Sequence, residues 1–365
     1  MLTPTVDEIH EADRLFTDLC AWKGTSISRA KYNELRQILQ DHTGVDLPCL
    51  RRYASRLTDM TNLNARLFDC CINSCVAYTG GYTDLNACPK CGHARWRMRQ
   101  NGTDQPYQQY MYIPLADRLK YQYTCRQRVR ILQSYCRPFF DQLQDQAELT
   151  DWWSGRRYRD LRHQGHFQEA TDIALQLLLD GVQLVSRGNH SSTPVILINY
   201  NLPPALRYQK HNIMVSLIIP GPKKYKDVDS FLHPLVEELK QLRTGITAYD
   251  AHRRRPFTLR AEAVVITGDV PAIQEAMGMK TPGNAKAPCR SCLIWAKKAP
   301  NGHFYVPHSA RHLQPGGLPM RSNLRDQIHD AVDSGSAEIM KRLGMYSLLS
   351  MTQSPIQFFY LHTTV

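Results

Sequence analysis

From residue 8 to 60 the apolar positions recur at helical spacing, in EIHEADRLFTDLCAW and SRAKYNELRQILQDH, with a Thr/Ser-rich break at 25–28. That pattern predicts a small helical module over residues 1–65. Residues 66–100 are rich in turns and cysteine. From 105 to 178 the spacing is again mostly helical, with breaks predicted at Pro114 and Pro138, and HFQEATDIALQLLLD starts helical before becoming strand-like. Beyond residue 174 the period changes. LQLLLDGVQLV, TPVILINYN and NIMVSLIIP are short apolar runs separated by polar or proline turns, which predicts three strands. KDVDSFLHPLVEELKQLRTG follows as an amphipathic helix ending at Gly245, LRAEAVVITGD returns to strand, and VPAIQEAMGM reads as helix. The order predicts a mixed sheet: an antiparallel three-strand meander, a helix over 226–243, then a strand near 259–267 pairing parallel to the first. A last helical pattern covers 320–343, and no internal repeat or low-complexity tract is seen.

Composition narrows the class. Of 365 residues 42% are hydrophobic and 21% charged, enough apolar material for a core, so wholesale disorder is excluded. The longest apolar runs are far short of a membrane span. The opening MLTPTVDEIHEADRLF carries acids where a secretory signal needs a basic stretch and an apolar core, which reads as an intracellular protein. In a reducing compartment eleven cysteines point to metal sites or buried thiols rather than disulfides. A net charge of +12 points to a polyanionic partner, nucleic acid first. Between Arg95 and Arg162 the runs RWRMRQ, DRLKYQYTCRQRVR and SGRRYRDLRHQ interleave arginine with aromatics, a mixture suited to phosphate contacts and base stacking, and equally to an amphipathic helical region whose arginines sit in water.

The strongest chemical motif is Cys71-x3-Cys75-x12-Cys88-x2-Cys91, the second pair within CPKCG. Each short turn aims two thiolates at one point, and four thiolates complete a tetrahedral zinc shell, so a zinc ribbon is predicted. A closed four-thiolate site leaves no open coordination position, which assigns it to scaffolding or nucleic-acid docking. Cys70, adjacent to Cys71, is a competing ligand. Cys289-x2-Cys292 forms a second pair whose partners must come from elsewhere, with His303, His308, His312 and His362 available; two small buried thiols is the alternative. Cys20, Cys49, Cys125 and Cys136 have no metal-like spacing and are assigned to the core.

Two acids stand at or inside apolar strands, where an unpaired carboxylate is costly: Asp180 in LQLLLDGVQLV and Asp269 at the end of AEAVVITGD. One reading makes Asp180-Gly181 a two-residue hairpin turn and Asp269 the N-cap of the following helix. The other brings both carboxylates to one sheet edge to hold Mg²⁺ for phosphoryl transfer.

The segment from DGVQLVSRGNHSSTPVILINYNLPPALRYQKHN through VITGDVPAIQEAMGMKTPGNAKAPCRSC resembles the catalytic core of CACTA-type (En/Spm) cut-and-paste transposases, particularly fungal copies, and CCINSCVAYTGGYTDLNACPKCGHAR resembles the cysteine-rich stretch that precedes it. The similarity covers about residues 65–345, with several linked motifs in order. It implies a fold of the α+β or α/β class: an incomplete ribonuclease H-like catalytic domain preceded by a helical segment and a zinc ribbon. It further implies three acids and two magnesium or manganese ions that hydrolyse and rejoin DNA phosphodiesters at transposon ends. Asp180 matches the first metal-binding acid and Asp269 the second. Cys289 and Cys292 match a two-cysteine element paired in the family with a later Asp-x-x-His, for which His362 is the match, as a second structural site. DNA, self-association and a nuclear location follow from the same resemblance.

There are departures. Phe359 stands where the Asp-x-x-His element needs its aspartate, and the family's third acid, a glutamate far downstream, has no counterpart before Val365; Glu338 precedes the histidine element. The expected layout is therefore a helical module at 1–65, a zinc ribbon at 66–100, an Arg-rich helical region at 101–173, a partial ribonuclease H-like core at 174–281, and a truncated Cys-pair and helical insertion at 282–365. The expectation is a transposase fragment inactive as this chain. The alternatives are a zinc-containing DNA-binding accessory or domesticated regulatory protein without catalysis, and a metal-dependent nuclease that recruits its third acid locally.

Overall fold

The computed structural model describes residues 64–98, 102–141, 149–183, 191–276, 279–280, 282–289, 292 and 294–306, with isolated helical positions between 30 and 41 and at 338. Apart from those positions and the non-helical residues 64 and 65, the predicted module at 1–65 and helix at 320–343 lie outside the described residues, as does His362.

In chain order, β1 (Arg66–Cys70) is followed by β2 (Trp96–Met98), β3 (Asp104–Pro106) and β4 (Gln108–Tyr112), then by α1 (Leu115–Gln122), α2 (Arg126–Asp141) and α3 (Arg156–His163). The next elements are β5 (Ile173–Leu179), β6 (Val182–Gln183), β7 (Ser191–Asn199), the single turn α4 (Pro204–Arg207), β8 (Met214–Ile219) and α5 (Val228–Thr244). A hairpin of β9 (Ile246–Asp250) and β10 (Arg255–Leu259) leads into β11 (Ala261–Thr267), α6 (Val270–Ala276), β12 (Lys297–Lys298) and β13 (Phe304–Tyr305).

Among the described residues the largest sheet is a mixed one of seven strands, in the order β1-β4-β8-β7-β5-β11, with β6 also on β7. The predicted meander is present: β5 pairs antiparallel with β7 and β7 with β8. The predicted return is present too, since β11 lies parallel to β5. Burial explains the composition of β5. Ile173, Leu175, Leu177 and Leu179 face a core shared with α5, while Ala174 faces the opposite layer with Trp153, Tyr158 and Leu161. A strand covered on both faces reads as a continuous apolar run, as IALQLLL does. On α5, Phe231, Leu232, Leu235, Val236, Leu239 and Leu242 are buried at helical spacing, and Gly245, at φ 105°, ends the helix.

The helical expectation for 105–178 fails in two places. Gln108–Tyr112 is strand, because Tyr110 and Tyr112 point into the core while Gln109 and Met111 are exposed, a period of two inside a polar sequence. Residues 166–172 form turns leading into β5 rather than a helical start. The break predicted at Pro138 is also absent. The helix runs to Asp141 and packs Cys136 and Phe140 against Trp153 and Tyr158, so tertiary burial outweighs one lost backbone bond. Pro114 does mark a boundary, as the residue before α1.

The cysteine-rich stretch is built into this sheet through β1 and β4, and it also closes a defect in α5. Pro234 has no N–H to give the Ser230 carbonyl four residues earlier, and the Thr79 hydroxyl donates to that carbonyl instead. Gly80 follows at φ 53°, and a side chain there would stand 2.7 Å from the His233 ring. Ala77 N–H donates to Ser230 Oγ at 2.9 Å, and the main-chain N–H groups of Lys226 and Asp227 both donate to the Cys75 carbonyl. Glu238, also on α5, accepts from Tyr112 Oη and from the N–H of Leu115 at 2.5 Å each, so it caps α1 from outside.

Candidate functional site

The thiols of Cys71, Cys75, Cys88 and Cys91 converge, their Sγ atoms all within 4.8 Å of one another. The two turns that aim them share one frame. In the first, Cys70 bridges Ala77 and the Cys71 N–H donates to the Val76 carbonyl; in the second, Ala87 bridges Ala94 and the Cys88 N–H donates to the His93 carbonyl. A left-handed residue adjoins the second cysteine of each turn, Ser74 at φ 57° and Gly92 at φ 74°. Tetrahedral zinc with bonds of about 2.3 Å needs sulfurs about 3.8 Å apart, so this set fits the ion with a small contraction. The thiols are unequal. The backbone of His93 draws Cys91 down to about 6, whereas burial pushes Cys75 up to about 12, and a bound cation would deprotonate all four.

Cys70 is not a fifth ligand. It lies in β1, packs into the main core with Tyr110, and burial raises its thiol to about 12. Arg95 is committed as well: its Nε and Nη2 reach Asp69 Oδ2 at 2.9 and 2.7 Å, and its guanidinium lies over the rings of Tyr78 and Trp96. Arg118 donates to the Val215 carbonyl, and Arg162 stacks on Phe140 and donates to Tyr158 Oη. Three arginines from the runs read as phosphate contacts therefore have structural work.

Asp180 and Asp269 are both exposed, and both follow the carboxyl ends of adjacent parallel strands. Asp180-Gly181 is not a hairpin turn. The pairing Leu179↔Val195 and Val182↔Ser192 is one continuous register, so β5 and β6 are the same strand interrupted at Asp180, and Pro194 is the residue that falls opposite. With no N–H on Pro194, the ladder has a gap there. Among the described residues no hydrogen bond or ion pair engages the Asp180 carboxylate. The capping reading of Asp269 holds, since its Oδ1 accepts from the Ala272 N–H at 2.8 Å.

Two features missed in the sequence hold these strand ends together. Gly268 lies so close to β5 that a Cβ on it would fall 2.4 Å from the Leu179 carbonyl oxygen. Gln176, 5% exposed inside β5, donates to Thr267 Oγ1 at 2.6 Å and accepts from Tyr208 Oη. A glutamine within LQLLL was the available signal, because a buried amide requires partners.

Residues 143–321 match the model of the transposase family tnp2. The matched stretch holds Asp180, Asp269, Cys289 and Cys292 and begins after the four-cysteine cluster. No match to a curated protein accompanies it. In the tnp2-like segment Cys289 and Cys292 are partly exposed. Among the described residues neither they nor the two aspartates join a set of three or more ligating side chains; the four upstream cysteines form such a set.

At the amino ends of β5 and β11, opposite the aspartates, a cleft of about 530 Å³ is lined by His166, Asp172, Arg243, Arg260 and Glu262 among others. Asp172 and Glu262 are 3% and 6% exposed, and among the described residues Asp172 Oδ1 and Glu262 Oε2 have no hydrogen-bond partner. His166 Nδ1 meets Glu262 Oε1 at 2.7 Å, and Arg260 stands 3.8 Å from Asp172. Burial, reinforced by Glu169 and Glu262, raises the Asp172 carboxyl to about 6.

Proposed function

We propose that this chain carries the DNA-processing core of a CACTA-type transposase, a ribonuclease H-like unit in which Asp180 and Asp269 hold divalent magnesium or manganese against a DNA phosphodiester. The observation that carries the reading is the placement of both acids past the carboxyl ends of β5 and β11, adjacent parallel strands about 4.8 Å apart, within the segment that matches tnp2. The meander followed by a parallel fourth strand supports it, as does the exposed Asp180 carboxylate, a hard oxygen donor suited to such ions.

The bound ions would supply Lewis acidity at the phosphate and an activated water. The protein's part is placement. Gly268 and the Gln176–Thr267 bond keep the two strand ends together, and the helical cap fixes the Asp269 side chain. The four cysteines would hold structural zinc as a ribbon joined to the sheet edge, and a nuclear location belongs to the same proposal.

The test is Mn²⁺ binding and divalent-dependent nicking of supercoiled DNA by the wild type, Asp180→Asn and Asp269→Asn. Loss of Mn²⁺ binding in both variants supports the reading. Wild-type Mn²⁺ affinity in both, or nicking that survives both substitutions, overturns it. The second reading is a zinc-containing DNA-binding protein without catalysis; the observation favouring it is that the cysteines form a complete ligand set while the aspartates are joined by no third group among the described residues.

A further inference from the structure

We infer that the second cysteine turn and the loop between β8 and α5 form one face that binds the phosphate backbone of DNA through Lys90, Lys223, Lys224 and Lys226. The inference rests on the proposed DNA role and assigns the surface that meets the polyanion.

Lys90 lies between Cys88 and Cys91, and the other three lysines lie in PGPKKYKD, more than a hundred residues later. Backbone contacts tie the lysine loop to the first cysteine turn, whose thiols converge with those of the second, and one lysine side chain reaches the second turn itself. The N–H groups of Lys226 and Asp227 donate to the Cys75 carbonyl at 3.0 and 3.1 Å. The Gly221 carbonyl accepts from Ser74 Oγ at 2.7 Å and from Gln108 Nε2 at 3.1 Å. Lys226 Nζ reaches the Lys90 carbonyl at 3.5 Å, which sets its ammonium beside the second turn.

All four lysines are exposed. Among the described residues no carboxylate forms an ion pair with Lys90, Lys223 or Lys226. Asp227, the nearest acid along the chain, is occupied: it accepts from Tyr82 Oη at 2.8 Å and caps α5 at the Ser230 N–H. A scattered set of surface lysines relaxes apart. Here main-chain bonds fix the lysine loop to the first cysteine turn, the converging thiols and the Lys226 contact set the second turn beside it, and the repulsion among the ammonium groups is relieved by a polyanion. Lysine ammonium groups are point charges that contact phosphates without reading bases, so the face is expected to bind duplex irrespective of sequence.

The test is fluorescence anisotropy with an arbitrary duplex of about 30 base pairs, at salt between about 50 and 200 mM. The quadruple variant Lys90→Gln, Lys223→Gln, Lys224→Gln, Lys226→Gln is compared with the wild type and with a control, Lys210→Gln, Lys240→Gln, which removes two exposed lysines elsewhere. Each neutralised phosphate contributes about 0.9 to the slope of log affinity against log salt, so the quadruple variant should flatten that slope by about 3.6 and weaken binding at least about tenfold, with the control unchanged. Melting temperature and zinc content are followed to show that the variant folds. A folded quadruple variant with wild-type affinity and slope, or a control that loses as much, overturns the assignment while leaving DNA binding in place. A wild type with no salt-dependent binding overturns both this face and the proposed function.

Discussion

Asp180 and Asp269 each stand two residues beyond Leu178 and Thr267, the last pair formed by β5 and β11. Matching positions on adjacent parallel strands set both carboxylates at one sheet edge, and the two are held differently, since Asp269 caps α6 while no described group engages Asp180.

That difference separates chemistry from stability. Asparagine at 269 keeps a capping oxygen and removes the charge, so Asp269→Asn should melt within about 0.5 kcal/mol of the wild type yet lose Mn²⁺ binding. Asp269→Ala should lose the ion and also about 1 kcal/mol of stability. Thermal unfolding beside Mn²⁺ titration checks both, and an Asn variant as unstable as the Ala variant would give the side chain a role beyond capping.

Gly268→Ala tests the closeness of the strand ends. Its Cβ would meet the Leu179 carbonyl oxygen at 2.4 Å, and backbone cannot move aside as a flexible side chain does. A loss of about 1–3 kcal/mol is expected, together with weaker Mn²⁺ binding despite the intact aspartates. Wild-type stability and ion binding would show that the strands can separate without consequence.

The four-cysteine cluster makes a contrast between neighbours testable. Cys88→Ser should remove about one equivalent of zinc and destabilise the chain strongly, because a structural ion contributes folding energy directly. Cys70→Ser should retain the zinc and lose about 1–3 kcal/mol, the cost of placing a hydroxyl at a buried position in the main core. Metal analysis of both variants decides it; zinc loss from Cys70→Ser would make Cys70 a ligand.

Much of this architecture was legible in the sequence, for physical reasons that differ by element. The meander and β11 were visible because strands buried on both faces leave unmistakable apolar runs. The cysteine spacing was visible because ligand geometry constrains turn length. β4 was not, since in QQYMY the residue between the two buried tyrosines is the exposed but apolar Met111, which hides the period of two and lets the stretch look like part of the helical region around it. Asp180-Gly181 misled in another way: the residue that interrupts the ladder there is Pro194, which only the pairing reveals. The repair of the Pro234 gap by Thr79 joins residues far apart in sequence, and no local pattern carries such information.

The buried pair of Arg207 and Asp151 offers a further check. Arg207 Nη1 and Nη2 meet the two Asp151 oxygens at 2.9 and 2.5 Å, both side chains are almost wholly buried, and the guanidinium also lies 4.3 Å from the Tyr200 ring. Removing one partner strands the other charge, so Arg207→Ala should cost about 3–5 kcal/mol. Arg207→Met with Asp151→Leu should recover much of that loss. Denaturant unfolding of the three proteins measures it, and a double variant no better than the single one would trace the loss to the other donors Asp151 serves, the Tyr135 hydroxyl and the Trp152 N–H.

Asp172 gives the pH dependence. An unfolded aspartate ionises near pH 3.9, and burial lifts this one to about 6 in the folded chain. Between those values the folded state holds the extra proton, so the Asp172 contribution to stability is fully present below about pH 4, falls as pH rises toward about 6, and is constant above that. Two units correspond to about 3 kcal/mol. Other acids impose opposite slopes: Asp151, although burial works against it, is held below the usual carboxylate range by Arg207 and Tyr135. The informative quantity is therefore the difference between Asp172→Asn and the wild type. Asparagine can still accept from the Glu169 N–H, which reaches Asp172 Oδ2 at 3.0 Å, and it carries no charge. The variant should match the wild type at about pH 4 and exceed it by up to about 3 kcal/mol at pH 7. Equal stability at both pH values would mean that the cleft beside His166 and Arg260 hydrates the carboxylate enough to return it to its ordinary range.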